Sequence, residues 1–111
     1  MDPEQVRAHV LALPEVEQYD HGGCPAFRVR GRRFASMLDA EGVNVMLDEH
    51  RMRAALAEWP AWCRPERFGG RLAAVHILLE HADPTVVREL LTEAWRRRAP
   101  SAVVRRFDAA E

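Results

Sequence analysis

The chain contains no lysine; all sixteen of its basic side chains are arginine. GC-rich coding is the simplest cause, but the physical consequence holds whatever the cause. Arginine stays charged at any working pH, stacks, and forks onto carboxylates or phosphates. Long apolar runs are also missing. None approaches the roughly 20 residues needed to cross a bilayer, which excludes a membrane span. The N-terminal MDPEQVRAHV has no basic segment followed by an apolar one, so a secretory signal is not expected and a cytoplasmic location follows. Cysteine is scarce, and the spacing of Cys24 and Cys63 matches no zinc motif. In a reducing compartment both are expected as thiols unless the fold brings them together. Internal repeats, low-complexity tracts and Gly-rich phosphate loops are absent as well; Gly22-Gly23 and Gly69-Gly70 are doublets with no helix start behind them.

What is present describes an ordinary globular domain. At 111 residues the chain is one domain, 1–111, large enough for a single core. Its net charge of −1 gives no global attraction to polyanions, so the distribution of charge carries the information. Four arginines, Arg28, Arg30, Arg32 and Arg33, crowd one stretch of six residues.

Asp2-Pro3-Glu4-Gln5 is a helix start with a capping-box partner at Gln5, and Val6, Val10 and Leu13 follow at helical spacing up to Pro14. The polar, Gly- and Pro-containing PEVEQYDHGGCP reads as a loop. From Ala26 to Leu38 the pattern alternates. A reversal near Arg30-Gly31 or Gly31-Arg32 places Phe27, Val29, Phe34, Ser36 and Leu38 on one face and Arg28, Arg30 and Arg33 on the other. Val43, Val45 and Leu47 continue as a third strand. Asp48 caps a helix with Met52, Leu56 and Trp59 inward, closed by Pro60. A short strand is expected around Trp62–Arg64, then a loop. Leu72 to Leu79 suits a central strand covered on both faces. Asp83-Pro84 opens a third helix with Val87, Leu90, Leu91, Ala94 and Trp95 buried. Beyond Pro100 the tail forms a last turn or short helix held by Val103, Val104 and Phe107. The order α-β-β-β-α-(β)-β-α predicts an α+β fold, with a mainly antiparallel sheet and helices on one face.

Several features in this order resemble the MmcQ/YjbR family of small bacterial proteins. They are Leu13-Pro14 with acidic residues after it, His21-Gly22-x-x-Pro25-x-Phe27, and the basic Gly31-Arg32-Arg33-Phe34-Ala35, where relatives usually carry lysine. Phe68-Gly69-Gly70 before an apolar strand, and Asp83 opening a helix that reads RELLTEAW, complete the set. The likeness runs from about residue 3 to residue 108 and rests on order and spacing. Relatives often have a tryptophan early in the strand after the glycines, where Leu72-Ala73-Ala74 stands here. The resemblance implies helices packed on one sheet and a DNA-binding role through two hairpin wings. It supplies no catalytic residues.

The expected site is therefore a nucleic-acid-binding one: Arg28, Arg30, Arg32 and Arg33 on the first hairpin, with Arg64, Arg67 and Arg71 as a second basic wing. Arginines in a β-ribbon contact phosphates or guanine edges of double-stranded DNA. Alternatively, Glu15, Glu17, Asp39 or Glu41 neutralise a solvated face. Arg96-Arg97-Arg98 complement the dipole at a helix C-terminus, which suffices to explain them; with Arg105 and Arg106 the same run could also extend a basic surface. His21 with Cys24, and His76 with His81, are incomplete as metal or catalytic sets, so no metal, cofactor or enzymatic activity is expected. A second class of function is a protein-interaction or homodimer surface using the same arginines, with Met37 and Ala35 as its apolar centre. A third, a small-molecule site, requires Tyr19, His21 and Cys24 in one pocket.

Overall fold

The first helix begins as its sequence dictates. The Asp2 carboxylate accepts the Gln5 backbone N–H at 2.8 Å, and the Gln5 side chain accepts the Asp2 N–H at 2.9 Å. The computed structural model describes residues 1–37 and 39–110. Its elements are α1 (Pro3–Leu11), β1 (Val16–His21), β2 (Cys24–Val29), β3 (Arg32–Ser36), β4 (Gly42–Val45), α2 (Glu49–Glu58), β5 (Cys63–Phe68), β6 (Arg71–Leu78), α3 (Pro84–Arg98) and α4 (Ser101–Ala109). The fold is α+β, with one antiparallel six-stranded sheet in the order β1-β2-β3-β4-β6-β5. The expected elements occur in the expected order. Leu38, placed by its sequence on the apolar face, lies outside the described residues.

One segment departs from its sequence reading. PEVEQYDHGGCP holds β1, which pairs with β2 from Val16↔Val29 to His21↔Cys24. An edge strand needs little apolar surface, and most of β1 is exposed, so its polar composition hid it. The missed signal is Gly22-Gly23, whose positive φ values of 62° and 87° form a two-residue hairpin turn. At the opposite edge, β5 runs past Pro65 to Phe68 instead of stopping at Arg64. Proline is tolerated there because an edge strand has one side with no ladder to complete. The tail becomes a separate helix, α4, capped at Pro100.

The helices bury one face of the sheet. Phe27, Val29, Phe34, Val43, Val45, Val75 and Ile77 are fully buried, as are Leu90, Leu91 and Trp95 of α3. The inward stripe of α3 is the one its periodicity predicts. Trp95 donates its indole N–H to the Pro14 carbonyl at 3.0 Å and meets the Phe107 ring edge-on at 5.0 Å, which fastens α4. Arg51 of α2 forks onto Glu93 of α3 at 2.8 and 3.2 Å. In α2 the buried side chains are Met52 and Ala55, with Leu56 and Trp59 at the margin.

Among the described residues no helix covers the other face of the sheet. A β-bulge in the β2–β3 pairing, between Phe27 and Arg28, sends both Phe34 and Ala35 into the core and moves Ser36 off the apolar face expected for it. Ser36 pairs with Asn44, which pairs with His76, and these three make a polar row across the open face. Consequently β6 is not covered on both sides as its apolar run suggested: His76 is half-buried and Ala73 is exposed. Cys24 in β2 and Cys63 in β5 stand four strand positions apart, roughly 19 Å at the usual strand spacing, and form no disulfide with each other.

Candidate nucleic-acid interface

The arginine-rich hairpin turns at Arg30-Gly31, both at positive φ (50° and 77°), so Val29 faces Arg32 and Arg28 faces Arg33. Strand β1 and the turn that leads into it then decide the state of two of the hairpin's cations. Glu17 lies directly across from Arg28, whose Nε donates to Glu17 Oε1 at 2.5 Å while its guanidinium stacks 4.2 Å from the Tyr19 ring centroid. Arg30 donates to Glu15, which lies 3.8 Å from Arg106 as well. The hydrogen bond from Arg30 holds the Glu15 carboxyl below the usual carboxylate range, with both arginine charges adding to it. Of the acids considered as neutralising partners, Glu15 and Glu17 take that place. Asp39 accepts the backbone N–H groups of Glu41 and Gly42 instead.

The second basic group also divides. Arg64 donates Nη1 to the Pro60 and Cys63 carbonyls at 2.5 and 3.1 Å, so it ties down the chain entering β5. Arg71 opens β6 and turns towards the first hairpin. It lines a cavity of about 660 Å³ with Arg32, Arg33, Arg97 and Arg98, where the starts of β3 and β6 meet the end of α3. Among the described residues none of these five guanidinium groups has an ion pair. The Nε atoms of Arg33 and Arg98 are buried with no hydrogen-bond partner. Burial, then the charges of Arg97, Arg32 and Arg33, hold the Arg98 guanidinium below its usual value. Among the described residues a single acid, Glu49, shares the cavity wall, and it already lies 3.7 Å from Arg53.

Sequence alone explains Arg97 and Arg98 by the dipole of α3, with an extended basic surface as the alternative. Consecutive helical residues point about 100° apart, so a run of three cannot act as one. Arg96 turns to α4, pairing with Asp108 at 2.6 Å and stacking 5.3 Å from Phe107, while Arg97 and Arg98 reach the cavity. The available signal was the density of cations in residues 96–106, but periodicity could not aim them at a hairpin distant in sequence.

Arg67 lines a second hollow of about 380 Å³ on the open face of the sheet, with Phe68, Ser36 and Asn44. The three residues of the small-molecule reading are not gathered in this way. Tyr19 and His21 line the arginine cavity, their rings edge-on at 6.0 Å, whereas Cys24 lines a hollow with Pro3 and Glu4. Cys63 is an unpromising nucleophile, because burial pushes its thiol up to about 11. The apolar centre expected for a docking surface is also displaced: Ala35 and Met37 are buried, since the bulge turns this part of β3 into the core. Among the described residues no group of three or more His, Cys, Asp or Glu side chains is placed to hold a metal ion, and no helix is long and apolar enough to cross a membrane.

Comparison with known families agrees with the order of motifs. The family model YjbR matches residues 11–97, most of the chain. The chain belongs to the YjbR family. No curated protein and no solved structure matches it significantly. The matched span of this YjbR-family chain contains the whole sheet together with α2 and most of α3, hence Arg32, Arg33, Arg71 and Arg97. Arg98 follows immediately after it.

Proposed function

We propose that the protein binds nucleic acid through its phosphates, without reading sequence, and that Arg32, Arg33, Arg71, Arg97 and Arg98 make the contact. The observation that carries this reading is the gathering of five guanidinium groups from three separate segments around one cavity, two of them with buried, unpartnered Nε atoms. An ion-paired arginine is already satisfied, whereas a crowded and unpartnered one gains from a multivalent anion. Arg28, Arg30 and Arg64 then serve structure, and the grip moves from β2 and the turn to the start of β3 with Arg71 and the end of α3. Binding rather than catalysis is the role, and a bacterial cytoplasm, where nucleic acid is at hand, is the matching location.

With an overall charge of −1, affinity rests on counterion release and falls steeply with salt. Fluorescence anisotropy of labelled duplex DNA at low and at moderate salt tests this. Arg33→Glu with Arg98→Glu should abolish binding, and Arg28→Gln with Arg30→Gln should leave most of it. Each lost phosphate contact reduces the salt slope by about one. Equal binding by the Arg33/Arg98 variant and the wild type would remove the site from this cavity.

A further inference from the structure

The arginine cavity does not end at its cations. It shares His21, Arg33, Met46 and Ala73 with the hollow on the open face of the sheet, so the two form one groove. The far end has a different chemistry. Phe68, at the tip of the β5–β6 hairpin, leaves 84% of its surface in solvent and forms one wall. The floor holds two polar side chains that are almost wholly buried, Ser36 at 5% and Asn44 at 4% exposure. Asn44 accepts from His76 Nδ1 at 2.7 Å through its Oδ1. Neither its Nδ2 nor the Ser36 hydroxyl has a hydrogen-bond partner among the described residues. Glu66 stands on another wall as an acceptor.

Although both residues are mostly buried, neither of these two atoms is sealed from solvent, so each is free to meet a polar group that enters the hollow. An alkyl chain anchored by a carboxylate would satisfy the arginines but offer these two groups no partner. A bare inorganic anion would leave this end empty. A planar heteroaromatic ring carrying donors and acceptors on its edge meets Asn44, Ser36 and Glu66, and its face lies against Phe68. Each of the two hollows has a volume within the range of small-ligand sites.

We propose that this groove binds a nucleotide unit with its base unstacked, the phosphate among Arg32, Arg33 and Arg98 and the base between Phe68 and the Ser36–Asn44 floor. The proposal rests on the phosphate-binding reading above and adds the base to it. The unit has two sources of identical chemistry, a free mononucleotide and an unpaired stretch of a single strand. A base stacked inside a duplex is not available to such a groove.

Isothermal titration of the full chain with adenosine monophosphate and with ribose 5-phosphate separates base from phosphate. The nucleotide should bind more tightly by the roughly 5- to 150-fold worth of one base–aromatic contact. Phe68→Ala, at an exposed position where folding is not at stake, should bring the nucleotide down to the affinity of ribose 5-phosphate and leave ribose 5-phosphate unchanged. Arg98→Met should weaken both. A single-stranded oligomer that binds more tightly per site than the mononucleotide identifies a strand as the source, and the reverse order identifies the free nucleotide. Equal affinities of the two small ligands in the wild type would overturn the base site and leave the phosphate reading standing. Absence of binding by either would overturn both.

Discussion

Arg98 should trade stability for binding, and the size of the trade follows from its surroundings. Its Nε is buried without a partner, and Arg97, Arg32 and Arg33 press on its charge. Leaving a buried donor unsatisfied costs about 1–3 kcal/mol, and three partly screened like-charge neighbours add roughly 0.3 kcal/mol each. Against this stands about 0.3–1 kcal/mol from a cation at the C-terminus of α3. Arg98→Met keeps the apolar stem while removing the charge and the orphan donor, so it should stabilise the free protein by about 1–3.5 kcal/mol. For a domain of this size that raises Tm by roughly 5–15 °C. Circular dichroism melts in a low-salt buffer without phosphate read the difference. Added sulfate should raise the wild-type Tm well beyond that of the variant and narrow the gap, because an anion that binds only the folded state stabilises it by mass action. A variant that melts at or below the wild-type temperature, with a gap indifferent to sulfate, would refute the idea that the cluster is frustrated in the absence of anion.

Two further outcomes test the fold that holds the cluster. Gly42 faces Leu78 in the β4–β6 ladder, and a Cβ there would lie 2.5 Å from two atoms of the His76 ring and 2.7 Å from the Ile77 carbonyl oxygen. Because the backbone oxygen cannot step aside, Gly42→Ala should lower stability by about 1–3 kcal/mol, read as a lower urea midpoint; an unchanged midpoint would mean that the strands separate at no cost. His9 of α1 meets Thr92 Oγ1 of α3 at 3.0 Å, and its imidazole is held below the ordinary 6.5, chiefly by burial, with the Arg88 charge adding and a backbone hydrogen bond at Arg88 opposing. The unfolded chain therefore takes this proton first as pH falls. The contribution of His9 is complete above about pH 6.5 and is lost as pH falls through the lower folded value. Urea midpoints should drop between roughly pH 7.5 and 5 in the wild type, and His9→Gln should remove that part of the drop. An identical decline in both proteins would clear His9 of any part in it.

The helices α1, α2 and α3 were legible because each is announced twice, by a cap and by a period, whereas α4 has no side-chain cap. Asp2, Asp48 and Asp83 all accept backbone N–H groups as expected, and Val87, Leu90, Leu91, Ala94 and Trp95 are the buried stripe of α3. The β2–β3 hairpin was legible from alternation and Gly31. Of the sheet's edges, β1 was not legible and β5 only at its start, since both bury little and so carry little apolar signal. The bulge in the β2–β3 pairing was equally invisible, because displacing Ser36 by one position changes no residue type.

The composition and local pattern of the chain determined that it is an α+β domain, that its cations are all arginine, and that they concentrate near one hairpin and one helix end. Which of those cations remain without a counter-charge was decided only by tertiary structure. Ion pairing acts over a few ångströms, and its partners came from elements that sequence order does not bring together: the turn before β1 carried Glu15 to Arg30 and β1 carried Glu17 to Arg28, while the end of α3 carried Arg97 and Arg98 to Arg32 and Arg33.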